Sequence, residues 1–582
     1  MTIAVPAQIA ERRAFSIDLT WPVLIAFAAV LCVLIVLPIS WLTYYSVTVA
    51  DPAGPIGNQV RSFTLQHFVQ LFTDPDLVSP LITTLIVAVS SSTACCLVAA
   101  PMGWLVARTD MPYAFAIRAL VTASFVTPPF LGAIAWEILA APNSGLLNQF
   151  YRFVTGAEQD QYLLNIYSLP GLIFVIACYT FPYVFVLIAN ALDRIPGDLE
   201  DASSILGGSA WTTARRVTIP LAMPALLAGA LIAFLQAMIL FGSPAILALP
   251  AGFHTMTTKI WSLFQYPPKP ELAAAASLPL LIVTVLLLRG QQMILGRKGY
   301  SVVGGKSGDP RLVKLGPFVV PALAFVGFIL MLPVFLPYFA LFNAAFSPIA
   351  TTLLTPMNFT LHNVYFTFLE LSSTQLALKN TFILGSLAAT LGTVLALVIA
   401  YITARGAVTG HRVLGFLATA PIAIPGIVLG VGLFLSYTRP PFVLYGTLWI
   451  LLIAYITIEL PGGYQQLQSA FRAVHSELED ASRILGASRL RTLRDVTAPL
   501  LRNSVIATWC FIFVSVVREL SAAIMLFTSE TKVVSVLIFD LKESGDLGAI
   551  AVLGLSMLVL TFAVVILVNR IPGFGGARLR NT

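Results

Sequence analysis

The stretch at residues 199–221, LEDASSILGGSAWTTARRVTIPL, recurs at residues 478–500 as LEDASRILGASRLRTLRDVTAPL. The two copies are offset by 279 residues without a gap, and 15 of their 23 positions are identical. Similarity of a chain to itself at a fixed offset is the mark of an internal repeat. The chain is therefore a tandem duplication, and each half keeps the same polar segment inside an otherwise apolar sequence.

The composition is that of an integral membrane protein. Hydrophobic residues make up 58% of the 582 positions and charged residues only 10%, and the mean hydropathy is +0.90. A soluble domain carries about 25% charged residues. The net charge of +7 is therefore no sign of nucleic-acid binding, and we expect membrane lipid around the chain. The first apolar run is too long for the core of a signal peptide, so we expect no cleavable leader.

No residue pattern indicates an enzyme, a metal site or a disulfide framework. The five cysteines lie in apolar runs, where cysteine behaves as a small hydrophobic residue, and the five histidines are scattered. Gly-Gly-Lys-Ser at 304–307 invites a phosphate-loop reading, but Tyr300 stands where such a loop requires glycine. We therefore predict a chain that is not an enzyme and binds no metal, cofactor or nucleotide of its own.

Twelve apolar stretches are long enough to cross a membrane as helices. The fold class predicted is an all-α polytopic membrane protein of about 12 transmembrane helices in two homologous six-helix halves. The predicted spans are 21–47, 79–107, 115–140, 168–191, 221–249 and 272–293 in the first half, and 317–345, 379–403, 412–436, 446–468, 500–527 and 547–569 in the second. The predicted domains are an N-terminus at 1–20, a first half at 21–293 with its core at 77–290, a linker at 294–316, a second half at 317–570 with its core at 376–570, and a C-terminus at 571–582.

Lysine and arginine fall mostly on one side of the membrane if the number of spans is twelve. They precede the first span, crowd the linker and both polar repeats, and follow the last span. Positive charge in short loops marks the cytoplasmic side. Both termini and both repeats are therefore predicted to be cytoplasmic.

Each polar repeat is predicted to be an elbow of two short helices joined at Gly207 or Gly486, since glycine tolerates the left-handed backbone that ends a helix. Small side chains cluster there and form a knob that the groove of another protein could enclose. The alternative is a well-capped turn without a partner. The elbows resemble each other more than the spans around them do, which favours docking. The predicted caps are Asp198 in the first copy, a capping box of Ser476 and Glu479 in the second, and Ser209 and Ser488 after the glycines.

The repeat resembles the signature of permease subunits of binding-protein-dependent ABC importers, EAA-x3-G-x9-I-x-L-P. Both copies keep its spacing, although Asp replaces Glu, Ser replaces the second Ala, and Ala498 replaces the Leu before the last Pro of the second copy. The resemblance implies a type I importer permease fold in the inner membrane. It also implies that the elbows are coupling helices that dock the ATPase through Asp201, Ala202, Ser203, Gly207, Asp480, Ala481, Ser482 and Gly486.

The partners that the resemblance implies are two copies of a cytoplasmic ATPase, which would bind ATP and Mg, and an extracytoplasmic solute-binding protein. The fused layout resembles the ferric-iron permeases most, so ferric iron is the expected substrate. Thiamine, polyamines, phosphonates and oxyanions such as sulfate or molybdate remain alternatives. A secondary transporter driven by an ion gradient is an alternative of another class, although such a carrier needs no docking knobs.

Three charged residues lie deep inside predicted spans of the second half: Glu459, Arg518 and Glu519. The aligned residues of the first half are Thr180, Ile239 and Leu240, so the charges are one-sided. Ionisable groups at membrane depth are costly and usually functional. They either line the translocation path or its gate, or form a structural pair of Glu459 with Arg518.

Prolines interrupt the third span of each half, at Pro128-Pro129 and at Ile424-Pro425-Gly426. Irregular backbone at membrane depth is tolerated where it lines a cavity. We therefore predict that Pro129 and Pro425 lie along the path.

Overall fold

The computed structural model describes residues 20–50, 61–296, 312–406, 410–440 and 442–569. Nearly all of the predicted N-terminus at 1–20, most of the linker at 294–316 and the C-terminus at 571–582 lie outside these ranges. The described part is almost entirely helical. Its two strands, β1 (Thr48–Ala50) and β2 (Arg61–Phe63), form an antiparallel pair in which Val49 lies opposite Ser62.

The first half begins with two α-helices joined by a π-helical turn, Cys32–Val36, and a second π-helical turn, Ala214–Thr218, precedes its fifth long helix. Its α-helices are α1 (Thr20–Leu31), α2 (Leu37–Ser46), α3 (Gln66–Thr73), α4 (Pro75–Arg108), α5 (Ala114–Val126), α6 (Pro129–Ala140), α7 (Leu146–Thr155), α8 (Leu169–Asp193), α9 (Gly197–Ile205), α10 (Ala210–Thr213), α11 (Ile219–Ile239), α12 (Gly242–Leu247), α13 (Met256–Ser262) and α14 (Pro270–Gly296).

The second half repeats this order, except that its described residues contain no counterpart of α7. Its α-helices are α15 (Val319–Leu330), α16 (Leu336–Phe346), α17 (His362–Tyr365), α18 (Ser372–Ala404), α19 (His411–Thr419), α20 (Gly426–Tyr437), α21 (Leu448–Ala473), α22 (Ser476–Ile484), α23 (Arg489–Thr492), α24 (Ala498–Val517), α25 (Ala523–Leu526), α26 (Val534–Ser544) and α27 (Leu547–Asn569). Its π-helical turns are Met331–Phe335, Phe366–Glu370 and Leu493–Thr497, and its 3-10 turns are Gly316–Phe318, Ala420–Ala423 and Ser529–Thr531.

The helices account for the twelve predicted spans. Among the described residues, nine helices are long and apolar enough to cross a membrane, and two bent pairs raise the number to eleven. The twelfth is α21, whose 26 residues correspond to about 39 Å of helix. Its apolar run is diluted by Glu459, Pro461 and the polar residues that follow. The prediction of an all-helical membrane protein with two six-helix halves is confirmed.

The third span of each half is broken where its prolines predicted. In the first half α5 and α6 meet at 96°, and in the second the helix of residues His411–Ala423 meets α20 at 109°. Pro128 is the N-cap of α6 and Pro425 is the N-cap of α20. Proline cannot donate the backbone hydrogen bond that would continue the preceding helix, so the chain turns at these points.

The fifth span of each half is shorter than predicted, which corrects the continuous spans expected at 221–249 and 500–527. The helix α11 ends at Ile239 and α24 ends at Val517, and each is followed by a turn and a short helix. Side chains hold these turns in place. Ser243 Oγ donates to the carbonyl of Pro129 at 2.9 Å, and the Glu519 carboxylate accepts from the N–H groups after it.

The first membrane span of each half, of which α2 and α16 form the second part, packs on the other half. The α2 helix contacts α14 of its own half and α20 of the second, whereas α16 contacts α27 of its own half and α6 of the first. Two tyrosines mark these crossings: Tyr437 donates to the carbonyl of Val33 at 3.2 Å, and the Tyr338 hydroxyl bonds Thr127 Oγ1 at 2.7 Å. The two halves are contiguous in sequence but interlocked in space.

Candidate functional site

The two elbows have the same backbone. The α9 and α22 helices end in glycines with left-handed backbone, φ +81° at Gly207 and +86° at Gly486. After each glycine a serine caps the next turn, because the N–H of Thr212 donates to Ser209 Oγ at 3.2 Å and that of Arg491 to Ser488 Oγ at 3.4 Å. These features were predicted from the sequence and are present in both copies.

A buried ion pair anchors each elbow to the second long helix of its half. In the first half, Arg108 at the end of α4 lies 2.5 Å from Glu200 Oε1, with side chains 1% and 10% exposed. In the second, Arg405 at the end of α18 lies 2.8 Å from Glu479 Oε1, with side chains 13% and 12% exposed. The Arg405–Glu479 contact is a charge-assisted hydrogen bond, a kind that is among the strongest in proteins, and the Arg108–Glu200 contact is a close ion pair.

Two further contacts complete each anchor. Thr218 and Thr497, at the ends of the matching π-helical turns, donate to Glu200 and Glu479 at 2.7 and 3.1 Å. The arginines also donate to main-chain carbonyls that follow the fourth span, Arg108 to Ile195 and Arg405 to Val474. Cations suit the carbonyl end of a helix. Each arginine therefore ties the ends of two long helices to the elbow.

The caps predicted for the N-termini of α9 and α22 are wrong. The N-cap residues are Pro196 and His475, and neither makes a side-chain capping bond. Glu479 binds Arg405 and Thr497 instead of closing a capping box, and Asp198 lies in the first turn of α9. A buried guanidinium offers the carboxylate a stronger interaction than an exposed backbone N–H. The spacing of residues around Glu479 could not reveal Arg405 as its partner, because Arg405 lies 74 residues away along the chain.

The tip of each elbow is a pair of exposed large apolar side chains, whereas the sequence predicted a surface of small residues. Ile205 and Leu206 are 84% and 87% exposed, and Ile484 and Leu485 are 85% and 87% exposed. Exposed apolar groups in matching positions of a duplicated segment make the tips a candidate surface for contact with another protein.

The predicted docking residues surround these tips. Asp201, Ala202, Asp480 and Ala481 are exposed, whereas Ser203 and Ser482 are partly buried. The two serine hydroxyls bond Thr213 and Thr492 at 2.7 and 3.1 Å. The serines therefore hold the second short helix of the elbow against the first, while the aspartates and alanines lie on its exposed surface.

The end of the linker docks beside the first elbow. Thr109 forms a parallel bridge with Val313, whose N–H donates to the carbonyl of Arg108 at 2.9 Å. Asp110 Oδ1 accepts from the N–H of Leu315 at 2.7 Å. Residues 312–316, which we call the strap, therefore lie on the connection that carries Arg108.

Two charged residues of the second half lie at the proline breaks of the third spans, Arg518 beside the end of α5 and Glu519 beside the start of α20. Arg518 donates to the carbonyl of Phe125 at 2.6 Å and its guanidinium lies 5.2 Å from the centre of the Phe125 ring. Phe125 in turn packs edge-on against Tyr183, with ring centres 5.0 Å apart. Arg518 thereby joins the second half to the end of α5 in the first.

Glu519 and Glu459 have separate surroundings. The Glu519 carboxylate accepts from the N–H groups of Ala522 and Ala523 at 3.1 and 3.3 Å, which fixes the turn after α24. Glu459 has Arg518 and Glu519 as charged neighbours. Among the ion pairs of the described residues, none joins Glu459 to Arg518 within 4 Å. Their assignment to the translocation path stays a prediction.

Breaks and turns meet at the centre of the bundle. A Cβ atom at Gly242 would lie 2.6 Å from Phe130 Cβ and 3.4 Å from Leu520 of the other half. A Cβ atom at Gly426 would lie 3.2 Å from Glu519 Oε1. In each half the helix after the proline break therefore packs on the turn that follows the fifth span. Pro129 and Pro425 stand at the edge of this junction, and their role in the path stays a prediction.

The buried carboxylate of Glu137 was not among the residues predicted from the sequence. Glu137 on α6 is 6% exposed and binds Tyr167 and Lys542, the latter from the other half. The signal was available, since Glu137 is an acidic residue inside a predicted span, a placement that usually has a function. Glu200 and Glu479 were also passed over as anchors, although they are identical in the two copies.

The sequence profile of one family, described as "binding-protein-dependent transport system inner membrane component", matches the chain twice, at residues 99–298 and 392–573. The two matches together cover more than half of the chain. Each contains one elbow, and each reaches from within the second span to beyond the sixth.

Two ferric permeases are among the similar proteins. A ferric transport system permease protein of Actinobacillus pleuropneumoniae is 28% identical over 77% of this chain. A putative ferric transport system permease protein of Haemophilus influenzae is 28% identical over 70% of this chain. Each alignment spans 64% of the relative's own length.

Among solved structures, a bacterial ABC transporter involved in the import of the acidic polysaccharide alginate matches 48% of this chain and 96% of its own. The TM-score is 0.38 and the sequence identity 16%. A likeness of this degree carries no argument about function.

Proposed function

We propose that this chain, which belongs to the family of binding-protein-dependent transport system inner membrane components, is the membrane permease of an ATP-driven importer. The observation that carries the proposal is the pair of anchored elbows with exposed apolar tips. A permease that takes its energy from two ATPase subunits needs two equivalent docking surfaces on the same side of the membrane. The elbows face that side together, since each lies between the fourth and fifth spans of its half.

The elbow anchors suit the transfer of motion. Docking at a tip would pull on α9 or α22, and the buried ion pair would pass that pull to the ends of the second and fourth spans. Closure of the ATPase pair would then move the two halves against each other. ATP and Mg would be bound by the ATPase, and this chain would be a transport subunit rather than an enzyme.

The proposed orientation places the elbows, and with them both termini, in the cytoplasm. Arginine and lysine on the elbow side support it. A solute-binding protein would then deliver cargo to the opposite face, which we call the distal face. It comprises the connections after α6, α13, α20 and α26.

The proposed substrate is ferric iron, on the strength of the two ferric permeases that align with most of this chain. The path would run through the junction of breaks and turns, past Arg518, Glu519 and Glu459. Carboxylates would favour a cationic solute, while Arg518 would limit how tightly it binds.

Docking is tested by purifying the tagged chain from native membranes in mild detergent and identifying co-purifying proteins by mass spectrometry. Ile205→Asp with Leu206→Asp, and Ile484→Asp with Leu485→Asp, are compared with the unaltered chain. Loss of a buried apolar contact at an interface costs about 2 kcal/mol or more, roughly thirtyfold in affinity. We expect an ATPase with the unaltered chain, less with either double variant and none with all four changes.

Tyr113→Asp is the matched control, because Tyr113 is 75% exposed on the elbow side but lies outside the elbows. It should leave the ATPase yield unchanged. If no ATPase accompanies the unaltered chain under conditions that preserve other such complexes, the elbows are only turns. Uptake that collapses with a protonophore and persists without ATP hydrolysis would then identify a secondary transporter.

Substrate identity is tested by uptake of radioactive ferric iron into cells with and without the chain. Uptake that requires the chain and is lost in the fourfold tip variant supports ferric iron. If the chain binds an ATPase but iron uptake does not change on deletion, the importer proposal stands and the substrate is wrong.

A further inference from the structure

The distal face of the molecule is closed. Residues 130–140 of α6, 242–247 of α12 and 523–526 of α25 are buried throughout. Ten of the 12 residues of α20 and seven of the 11 residues of α26 are also buried. Aromatic contacts cross between the halves here, with Phe241 of the first half 6.0 Å from Phe539 of the second. These short helices form a buried layer between the distal surface and the central junction.

One ion pair crosses this layer from half to half. Lys542 Nζ, at the end of α26, donates to Glu137 Oε1 on α6, with side chains 19% and 8% exposed. The Tyr167 hydroxyl donates to the same oxygen at 2.7 Å. Burial and the adjacent Glu137 raise the pKa of Tyr167, so the phenol keeps the proton that it donates.

The Glu137 site is incompletely satisfied. Both hydrogen bonds fall on Oε1, while Oε2 is buried and has no hydrogen-bond partner among the described residues. Burying a carboxylate is costly unless its lone pairs are used. Separation of the halves would let water bind the unpartnered carboxylate oxygen and so offset part of the cost of breaking the ion pair. The contact is therefore suited to opening and closing.

The pair is one-sided, like the charges at the junction. The corresponding contact in the other direction involves α20 and the residues that follow α13. There Phe264 packs edge-on against Phe434, with ring centres 5.4 Å apart. One side of the distal layer is thus closed by charge and the other by aromatic packing, although the two sides descend from one duplicated sequence.

We propose that Glu137 and Lys542 form a latch that holds the distal face closed and parts when that face opens to receive solute. This inference rests on the proposed function, in which the two halves open alternately toward the elbows and away from them. Tyr167 positions the Glu137 carboxylate within the latch. Apolar packing at Phe264 and Phe434 closes the layer in every variant below, so loss of the latch loosens the distal face rather than unfolding it.

The test measures the distance between spin labels across the distal face in lipid nanodiscs. Ser144 and Ser544 are exposed on that face, one in each half, and are changed to cysteine in a chain whose five native cysteines have been replaced. Lys542→Met is compared with the charge swap Glu137→Lys plus Lys542→Glu. We expect the distance distribution to lengthen by several ångströms in Lys542→Met and to return to the parent distribution in the swap.

Lys532→Met is the matched control. Lys532 pairs with Asp540 at 2.6 Å, with side chains 22% and 31% exposed, and both residues belong to the second half. Its removal should leave the distance unchanged. An unchanged distance in Lys542→Met, or an equal lengthening in Lys532→Met, would overturn the latch.

If Lys542→Met does not fold, the double variant Glu137→Gln plus Lys542→Met decides the question, because it removes both charges and leaves none unpaired. A longer distance than in the parent supports the latch, and the parent distance contradicts it. These measurements need no ATPase, so they stand even if the importer proposal fails. Where an ATPase does co-purify, Lys542→Met should also raise the rate of ATP hydrolysis several-fold when no solute-binding protein is present. Lys532→Met should leave that rate unchanged.

Discussion

The elbows and the central junction arose from the same duplication, yet they have diverged very differently. Each elbow has the same left-handed glycine, the same Glu–Arg–Thr anchor and the same exposed Ile–Leu tip. At the junction, Arg518 and Glu519 stand where the first half has Ile239 and Leu240. In the proposed function the elbows meet two equivalent partners, so their surfaces must stay alike. The proposed path is shared by both halves, so one half can supply its charges.

The largest effect is expected from breaking the elbow anchors. Arg108→Met leaves Glu200 buried beside Thr218 without its counter-charge, which costs roughly 3–5 kcal/mol when a buried pair loses one partner. Arg405→Met should cost less, because the Arg405 side chain is 13% exposed and that of Arg108 is 1% exposed. Thermal unfolding of the purified variants, together with their ATPase yield, measures both.

Arg118→Met is the control for that comparison. Its pair with Asp193 is on the same side of the membrane but about one third exposed, and exposed pairs contribute about 0–1 kcal/mol. Equal losses in Arg108→Met and Arg118→Met would mean that the anchor is no stronger than a surface contact.

A smaller effect is expected at the elbow glycines, and it should be equal in the two copies. No atom lies within 4 Å of a Cβ built at Gly207 or Gly486, so a side chain fits and only the left-handed backbone opposes it. Left-handed backbone costs an ordinary residue roughly 1–2 kcal/mol, and asparagine tolerates it better. Gly207→Val and Gly486→Val should each reduce ATPase yield, and Gly207→Asn should retain most of it. A strong loss with asparagine would point to steric exclusion by the partner instead.

At the junction, Glu519→Ala should destabilise the turn after α24. The change removes the acceptor for two backbone N–H groups, and losing a capping acceptor costs about 0.5–2 kcal/mol. Glu519→Gln keeps one acceptor oxygen and should preserve most of the thermal stability. If Glu519→Gln is as stable as the parent but fails to transport, the charge serves the path. Normal transport in Glu519→Gln would show that Glu519 acts only as a structural cap of the turn and that its charge is not needed for transport.

The smallest effect is expected from Asp110→Ala, which removes one of the bonds that hold the strap on the first half. One hydrogen bond to the N–H of Leu315 is lost, worth about 0.5–1.5 kcal/mol. Amide hydrogen exchange across residues 312–316 should accelerate while exchange in α22 stays unchanged. Equal acceleration in residues 312–316 and in α22 would show that the effect of losing the Asp110 bond is not confined to the strap.

The sequence predicted the parts of this molecule whose cause is local. Apolar length determines a span, proline breaks a helix where it stands, and glycine or serine ends and caps the short helices of the elbow. The twelve helices, the broken third spans, and the glycines and serines of both elbows were therefore correct. The capping box at Glu479 failed because Arg405, 74 residues away along the chain, offers the stronger partner.

Interactions between distant segments account for what the sequence did not reveal. The crossing of the first helix of each half onto the other depends on how two helical bundles fill space together. Glu137 finds Lys542 across 405 residues of chain, and Arg518 turns to the carbonyl of Phe125 instead of pairing with Glu459. A buried charge takes whichever partner the packed bundle brings within hydrogen-bond distance. That choice is a property of the assembled helices, whereas the helices themselves are a property of the sequence.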